Sequence, residues 1–275
     1  MSFIPPQLLT AAKAAPEGDR WLHEVKYDGY RLCACVQGGR VRLYTRGGHD
    51  WTAKLASIEA AVAELGLRGA YLDGELVAIG ADGLPDFTAL HRAMRGGRNA
   101  PPLLYHVFDI LRARGRDLMA LDVLERKQVL ADVLERGGPR LRYVEHVIGS
   151  GPELHAEAHS LGIEGIVSKR IGSGYRPGSR PRAWLKVKCF HVHRFTISRV
   201  LAEEVAVVDA DGASAGVVPV WSRVQLAGLR PGMIVDVKAL AWSPGRTLRH
   251  ATLVGGPDFL ESHAGKTRFT RSQRS

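Results

Sequence analysis

Cysteine is scarce in this sequence. Only three of its 275 residues are cysteine, Cys33, Cys35 and Cys189, and no two of them form a Cys-x-x-Cys pair. An odd number of cysteines without that spacing argues against a disulfide framework and against a cysteine zinc site. Cys33 and Cys35 lie two apart in an apolar run, so on a strand they share one face. We expect all three to be buried free thiols.

Long apolar stretches are also missing. No run approaches the ~20 residues that a membrane-spanning helix needs. Residues 1–15 lack the charged region followed by an apolar stretch that marks a secretory signal. We therefore expect a cytoplasmic protein with no membrane partner.

Acidic residues are outnumbered by basic ones. The sequence has 38 lysines and arginines against 28 aspartates and glutamates, which gives a formal net charge of +10. Such an excess indicates a polyanionic partner such as nucleic acid, because neutralising phosphates releases counterions. Charge alone leaves a merely solvated positive surface equally open. The length of 275 residues and a hydrophobic content of 45% suffice for two modest domains with a substantial core.

Residues 21–188 alternate between strand-like and helix-like segments. Strands are predicted at Trp21–Val36, Val41–Thr45, Ala70–Ile79, Leu103–Ile110, Gly165–Ser168 and Trp184–Val187, and helices at Leu55–Leu65, Leu121–Glu135 and Pro152–Leu161. The strands come in hairpins rather than in strict β-α-β units. The pattern therefore favours an α+β fold with antiparallel sheets over a doubly wound parallel sheet.

After Cys189 the sequence changes character. Short β-rich runs, split by Gly, Pro and Asp turns, occur at Phe195–Leu201, Val205–Val208, Gly216–Val220, Met233–Trp242 and Thr247–Val254. About five strands of this kind fit a small β-barrel. The basic, polar end is expected to be disordered. The predicted organisation is a first domain at 1–189, a barrel at 190–262 and a tail at 263–275.

The segment EVKYDGYR, Glu24–Arg31, places one lysine, Lys26, where a predicted strand meets a turn. A lysine amine attacks only when it is neutral, so nucleophilic lysines have their pKa lowered by desolvation or by neighbouring cations. Attack of such an amine on the α-phosphorus of a nucleotide gives a phosphoramidate. The alternative, from these residues alone, is an exposed lysine beside a turn.

Three acidic or aromatic segments suit a nucleotide. Asp73 and Glu75 lie two apart on a predicted strand and so point to one face, where they suit a ribose hydroxyl or a metal ion. Phe108 offers a stacking surface for a base, although core packing is the simpler explanation of an aromatic between strand residues. Glu164 precedes a strand of buried character.

A pair of lysines, Lys186 and Lys188, shares one face of the last predicted strand of the first domain. Two like charges on one sheet face repel each other. A phosphate bound between them would offset that repulsion. A solvated sheet edge is the alternative.

Taken together, these segments resemble the covalent nucleotidyltransferase superfamily, which comprises DNA ligases, RNA ligases and mRNA capping enzymes. Within it the chain looks most like the ligase module of bacterial ATP-dependent end-joining DNA ligases. The resemblance is carried, in family order, by residues 16–31, TRGG at 45–48, LDGE at 72–75, FDIL at 108–111, EGIVSKR at 164–170, GYRPG at 174–178 and WLKVKC at 184–189. Ordered motifs are specific together where each alone is weak. The implied fold is an ATP-grasp-like nucleotidyltransferase domain followed by an OB-fold barrel.

The resemblance implies a role for each matching residue. Lys26 is the nucleophile that becomes adenylated, and Lys186 and Lys188 clamp the α-phosphate. Glu24 and the backbone of Val25 are implied to face the adenine amino group, and Arg31 and Glu75 to hold the ribose. Phe108 is implied to stack on the adenine face. Arg46 is implied to contact a phosphate of the nucleotide or of the nicked strand. The implied metal ligands are Glu164 with Asp28 or Glu75 assisting through water, and Mg²⁺ is the expected ion because it prefers hard oxygen ligands.

The expected nucleotide is ATP rather than NAD⁺. Only 25 residues precede Lys26, too few for the extra domain of the NAD⁺-dependent relatives. The expected substrate is nicked or broken duplex DNA, which is joined through a lysyl-AMP and a DNA-adenylate. A DNA end-binding protein is a further candidate partner. We expect a monomer associated with the nucleoid.

The C-terminal region departs from the family pattern after Leu248-Arg249-His250. An Arg-x-Asp-Lys-like motif that orients the leaving pyrophosphate is expected next, but the chain continues with VGGPDFL at 254–260. Arg249 keeps an implied nucleotide contact, whereas the lysine role stays unassigned. Two alternatives remain open: an RNA ligase or capping-type guanylyltransferase, which shares the lysine motif, and a DNA-binding module without catalysis, which the missing motif favours.

Overall fold

The computed structural model describes residues 2–80, 83–96, 101–220, 223–240 and 248–256. The chain divides into two units, Met1–Cys189 and Phe190–Ser275. Among the described residues, no helix has the length and apolar character needed to cross a bilayer.

The first unit contains eleven strands and four α-helices in its described part. In chain order they are β1 (Thr10–Ala11), β2 (Gly18–Val25), β3 (Tyr30–Gln37), β4 (Arg40–Thr45), α1 (Ala56–Glu64), β5 (Gly69–Ala78), α2 (Phe87–Met94), β6 (Leu103–Ala113), β7 (Arg116–Asp117), α3 (Val123–Leu134), β8 (Leu141–Tyr143), β9 (His146–Gly149), α4 (Gly151–Ser160), β10 (Gly165–Arg170) and β11 (Trp184–Lys188), with a 3₁₀ turn at Thr52–Lys54 before α1.

The strands of this unit form two sheets. The first sheet has the order β1-β11-β10-β2-β9, and all its pairs are antiparallel except β1 with β11. The second sheet has the order β4-β3-β5-β6-β7 with antiparallel pairs, and β8 adds to β6 in parallel. The predicted α+β architecture with mainly antiparallel sheets is confirmed.

The chain passes from one sheet to the other at the predicted nucleophile. The sequence predicted one strand over Trp21–Val36, and this is wrong. β2 ends at Val25, and β3 begins at Tyr30 in the second sheet. A Cβ atom on Gly29 would lie 2.2 Å from the carbonyl oxygen of Leu76, so only glycine lets β3 approach β5 here. The sequence indicated a turn at Lys26, but it gave no sign that the strands before and after this turn belong to different sheets.

Apolar packing covers both faces of the second sheet. One face packs on α1, α2 and α3 through side chains such as Leu32, Leu72, Ile58, Leu90 and Leu130. The opposite face forms a smaller cluster that includes residues from the first sheet and the loop before it: Cys33, Cys35, Tyr71, Leu111, Tyr175 and Trp184. Each fully buried aliphatic side chain contributes about 1.5–3 kcal/mol. All three cysteines are buried and free, as the sequence predicted.

Helix α3 is held to the second sheet by a buried ion pair. Asp122 and Glu125 form a capping box at its N-terminus, which makes the helix begin near the predicted position. One turn later Arg126 donates to both carboxylate oxygens of Asp109 at 2.7 and 2.9 Å. Both side chains are fully buried. Because an unpaired buried charge is costly, this pair fixes α3 on β6.

The second unit contains a five-stranded antiparallel sheet. Its elements are β12 (His191–Val200), β13 (Glu204–Val208), β14 (Ser214–Pro219), the helix α5 (Arg223–Gly228), β15 (Ile234–Ala239) and β16 (Thr252–Gly255), and the strand order is β14-β13-β12-β15-β16. The five predicted strands are present, and they bury one face around Phe195, Ile197, Val207 and Val235. Within the described residues β14 and β16 do not pair, so the sheet is shown but a closed barrel is not. The ends of two predicted strands, at Trp242 and Thr247, and the predicted tail at 263–275 lie outside the described residues.

We expect Arg126→Met to lower the free energy of unfolding by about 3–5 kcal/mol, because it leaves the Asp109 carboxylate buried without its cation. The matched control is Arg42→Met, since the Arg42–Asp50 pair is exposed, with 64% and 42% of the two side chains accessible. That variant should cost less than about 1 kcal/mol. Urea unfolding of the three proteins measures both values, and equal losses would contradict the importance of the buried pair.

Candidate active site

A pocket lies where the two sheets of the first unit meet. Its lining consists of Leu9, Glu24, Val25, Lys26, Tyr27, Arg31, Glu75, Phe108, Val167, Lys169 and Trp184. The first sheet contributes Glu24 and Val167, and the second contributes Arg31, Glu75 and Phe108. Six residues that the sequence predicted as a site, drawn from three separate motifs, therefore surround one space.

Lys26 is anchored by both its backbone and its side chain. Its amide N–H donates to the carbonyl of Gly165 at 2.9 Å, which fixes it against the start of β10. A Cβ atom on Gly165, whose φ is +148°, would lie 2.1 Å from the carbonyl oxygen of Val187, so the close approach of β10 and β11 here requires glycine. The Lys26 ammonium forms an ion pair with Glu164, and both side chains are largely buried.

The predicted pair of lysines faces the same acid. Across the sheet Lys186 pairs with Val167, and Lys188 pairs with Gly165. The Lys188 ammonium lies 3.8 Å from the second carboxylate oxygen of Glu164. Burial lowers the pKa of both Lys186 and Lys188, and the positive charge of Lys26 adds to the effect. The ammonium groups of Lys26, Lys186 and Lys188 thus face a single carboxylate, that of Glu164. This excess of positive charge suits a polyanion such as a phosphate chain.

Glu24 lies deeper and has two cations of its own. Its two carboxylate oxygens lie 2.6 Å from the Lys127 ammonium and 2.8 Å from the Lys169 ammonium. All three side chains are at most 3% exposed. Burial lowers the pKa of Lys169, which the charge of Glu24 opposes. Lys169 also donates to the carbonyl of Phe108 at 3.0 Å.

Arg31 is oriented by Asp73, the first acid of the LDGE motif. The guanidinium makes two hydrogen bonds of 2.6 Å to the Asp73 carboxylate, which is fully buried. The Tyr175 hydroxyl donates to the same carboxylate at 2.6 Å. The guanidinium carbon lies 4.6 Å from the centre of the Phe108 ring. Asp73 and Tyr175 thus fix Arg31 beside the predicted stacking ring.

Glu75, the second acid of that motif, differs from Asp73 although it lies two residues further on. It lines the pocket and has no ion-pair partner within 4 Å in the described part of the chain. Burial raises the pKa of Glu75 from 4.5 to about 7, a rise that Arg31 and Lys26 oppose and Glu164 assists. The pocket therefore holds an acid that changes charge near neutral pH.

Besides Glu164, Lys186 and Lys188, three predicted site residues are not part of this pocket lining. Arg46 is exposed on the turn that follows β4. Asp28 is half-buried in the loop between β2 and β3. Arg249 belongs to the second unit, where its carbonyl accepts from the amide of Leu240 at 3.0 Å. Their predicted roles remain proposals.

Sequence reasoning assigned no role to several residues that shape the pocket. Lys169 and Tyr175 fall within the quoted EGIVSKR and GYRPG motifs, so their positions were visible although their contacts were not. Lys127 lies on α3, 103 residues from Glu24 in the chain. It gave no local signal, because a lysine on an amphipathic helix is ordinarily exposed.

A lysine beside a pocket that also holds a ring and paired cations, on two mainly antiparallel sheets, defines a domain of the nucleotidyltransferase class. The family described as ATP dependent DNA ligase domain matches residues 7–188. The chain belongs to this family.

Similar proteins agree with that assignment. The chain is 41% identical over 196 residues to the multifunctional non-homologous end joining protein LigD of Pseudomonas aeruginosa, covering 71% of this chain and 23% of LigD. It is 30% identical over 217 residues to the SPbeta prophage-derived DNA ligase-like protein LigB of Bacillus subtilis, covering 78% of each. A solved structure, mycobacterial DNA ligase D complexed with ATP and MES, matches with a TM-score of 0.65 and 26% identity over 92% of this chain and 94% of that chain. The chain thus spans less than a quarter of the Pseudomonas LigD that it resembles.

The raised pKa of Glu75 sets a pH dependence of stability. Between about pH 4.5 and pH 7 the folded chain keeps a proton on Glu75 that the unfolded chain has lost, so this group makes the wild type less stable as the pH rises. We expect Glu75→Gln, which cannot ionise, to gain roughly 1–3 kcal/mol over wild type between about pH 5 and pH 8.

Unfolding by urea at both pH values measures this gain. Glu17→Gln, at an exposed glutamate of the same unit, is the matched control and should follow the wild type. A Glu75→Gln curve parallel to wild type at both pH values would contradict the shift.

Proposed function

We propose that this chain is an ATP-dependent DNA ligase that joins nicks or breaks in duplex DNA through a lysyl-AMP intermediate on Lys26. The observation that carries the proposal is the position of Lys26, which lines a pocket with Glu24 and Phe108 and shares Glu164 with Lys188. Family membership and the ligase relatives support it. The match to LigD covers only part of that protein, so end joining as a role is itself part of the proposal.

In the first step the Lys26 amine attacks the α-phosphorus of ATP. An N–P bond forms, the bond from that phosphorus to the bridging oxygen breaks, and pyrophosphate leaves. The amine has to lose a proton before it attacks, and Glu164 is the carboxylate paired with it. Lys186 and Lys188 offset the charge that develops on the α-phosphate oxygens. Positioning and charge neutralisation supply most of the catalysis of phosphoryl transfer.

The next two steps transfer the activated group to DNA. The 5′-phosphate of the nick attacks the phosphorus of the lysyl-AMP, so the N–P bond breaks and a pyrophosphate linkage to DNA forms. The 3′-hydroxyl then attacks the 5′-phosphate, AMP leaves, and the strand is closed. The amine of Lys26 is regenerated in the second step and is not consumed. Arg46, exposed after β4, is proposed to contact a phosphate of the strand or of ATP.

The pocket lining supports a specific placement of the nucleoside. Phe108 is proposed to stack on the adenine face, and Glu24 with the backbone of Val25 to accept from its amino group. Arg31 and Glu75 are proposed to hold the ribose hydroxyls. The rigid Arg31–Asp73 fork is suited to this, because its orientation is set before the nucleotide arrives.

Magnesium is the proposed metal ion. Among the described residues, no cluster of three or more His, Cys, Asp or Glu side chains could hold an ion by itself. Mg²⁺ is usually held by one or two carboxylates together with substrate phosphates, and Glu164 with Glu75 fits that pattern. The charge of Glu164 raises the pKa of Glu75 after burial does, so both carboxylates act on the same space. The ion would neutralise phosphate charge; Asp28 is proposed to assist through water.

The second unit is proposed to be an OB-fold. Its five antiparallel strands and one short helix support this. Arg249 is proposed to contact the nucleotide, and residues 263–275 to add phosphate contacts with duplex DNA. A DNA end-binding protein is a proposed partner, and a monomer the proposed state.

The test of the proposed function is covalent labelling. We expect wild type incubated with α-labelled ATP and Mg²⁺ to form labelled protein, and Lys26→Ala to give only background, because Lys26 both lines the pocket and pairs with Glu164. Lys13→Ala, at an exposed lysine of the same unit, is the matched control and should label like wild type. A Lys26→Ala variant that still forms protein-AMP would sink the assignment.

Two further measurements sharpen this result. Lys26→Ala should still join a nick whose 5′ end already carries AMP, since the last step does not use the lysine amine. Labelled GTP distinguishes the alternative chemistry, because preferred formation of protein-GMP would indicate a capping-type guanylyltransferase. Binding of nicked duplex without any covalent adduct would indicate a DNA-binding module.

A further inference from the structure

The Glu24 carboxylate has a buried cation at each of its two oxygens. Lys127 donates to one oxygen at 2.6 Å, and Lys169 lies 2.8 Å from the other. We propose that Lys127 and Lys169 determine the nucleobase specificity of the pocket, because they hold Glu24 as an acceptor that selects an exocyclic amino group over a carbonyl oxygen. The inference rests on the proposed function only in that the pocket must bind a nucleotide.

The geometry leaves Glu24 one kind of hydrogen bond to offer. Each carboxylate oxygen has two lone pairs, and one ammonium uses one of them on each oxygen. With an ammonium at each oxygen, the carboxylate has only its remaining lone pairs to offer a ligand. Adenine presents an amino group on the edge where guanine presents a carbonyl oxygen. At this position a carboxylate accepts from the adenine amino group and repels the guanine carbonyl oxygen.

Both lysines are themselves fixed by further contacts. Lys127 also donates to the carbonyl of Val144 at 2.5 Å and lies 4.2 Å from the centre of the Tyr143 ring. Neither ammonium is more than 1% exposed. Neither cation can therefore turn away to solvent and leave the carboxylate free to rotate.

Lys169 adds a second constraint, on the stacking ring. It donates to the carbonyl of Phe108 and lies 4.8 Å and 4.5 Å from the ring centres of Phe108 and Trp184. One ammonium thus joins the group at the edge of the base to the residue at its face, although the two come from different sheets. A base stacked on the Phe108 ring would therefore present only one edge to Glu24.

Removing one lysine changes what Glu24 offers. With one cation removed, the carboxylate is no longer fixed at both oxygens, so it no longer holds an acceptor against the amino group or keeps a carbonyl oxygen away. The variants Lys127→Met and Lys169→Met should then bind ATP more weakly than the wild type does, and GTP less weakly than the wild type does. A purely structural role of the lysines would weaken both nucleotides to the same extent.

The experiment measures equilibrium binding of ATP, GTP and inosine triphosphate in the presence of a chelator, with thermal unfolding recorded for each protein. Wild type should prefer ATP to both carbonyl-bearing nucleotides. Lys127→Met and Lys169→Met should each reduce the ATP-to-GTP preference at least about tenfold, and Lys13→Met should not. In a Glu24→Gln background the further change Lys169→Met should leave the preference unaltered, because the lysine acts through the acid.

Several results would overturn the proposal. Equal binding of ATP and inosine triphosphate by the wild type would overturn it. This result needs no variant, so the test stands even if a methionine variant fails to fold. An ATP-to-GTP preference that is unchanged in both methionine variants would also overturn it. Parallel labelling separates this from the proposed function: ATP preference without a covalent adduct refutes the ligase chemistry alone, and equal adducts from ATP and GTP refute the specificity alone. Absence of nucleotide binding refutes both.

Discussion

Buried charges have to be paired, and in the first unit the pairs fall where the two sheets meet. Three contacts cross this boundary: Lys127 to Glu24, Lys169 to the carbonyl of Phe108, and Tyr175 to Asp73. Separating the sheets would break the buried Lys127–Glu24 ion pair, at a cost of about 3–5 kcal/mol, and two further hydrogen bonds. The sheets are therefore held at a fixed spacing. That spacing sets how far Glu24 lies from the Phe108 ring, and so the room for a flat base between them.

The same boundary fixes the reacting group. The chain leaves the first sheet at Val25 and enters the second at Tyr30, with Lys26 at the crossing. Its backbone is bound to Gly165 and its side chain to Glu164. Glu164 is the partner of Lys26 and lies near Lys188. On the proposed function, phosphate oxygens would take over these cations and leave Glu164 able to hold a metal ion.

Much of this site was predictable because its residues fall in short ordered motifs. Lys26, Glu75 and Phe108 were placed correctly in one pocket by spacing and resemblance alone. Helix α3 was predictable because Asp122 and Glu125 mark its start. The passage from β2 in one sheet to β3 in the other was not, since the close approach at Gly29 depends on a strand that follows much later in the chain. Lys127 was out of reach for the same reason, as its partner is remote in sequence.

Three glutamates around one pocket carry three different charge environments, and this difference assigns their proposed work. Glu24 has two buried cations and is fixed as an acceptor. Glu164 shares cations at the pocket edge and is about 10% exposed, so its partners can exchange. Burial raises the pKa of Glu75 to about 7, so a cation bound beside it would favour its charged form. On the proposed function, recognition of the base, proton and metal handling, and response to the bound nucleotide thus fall to separate acids, because each has different partners.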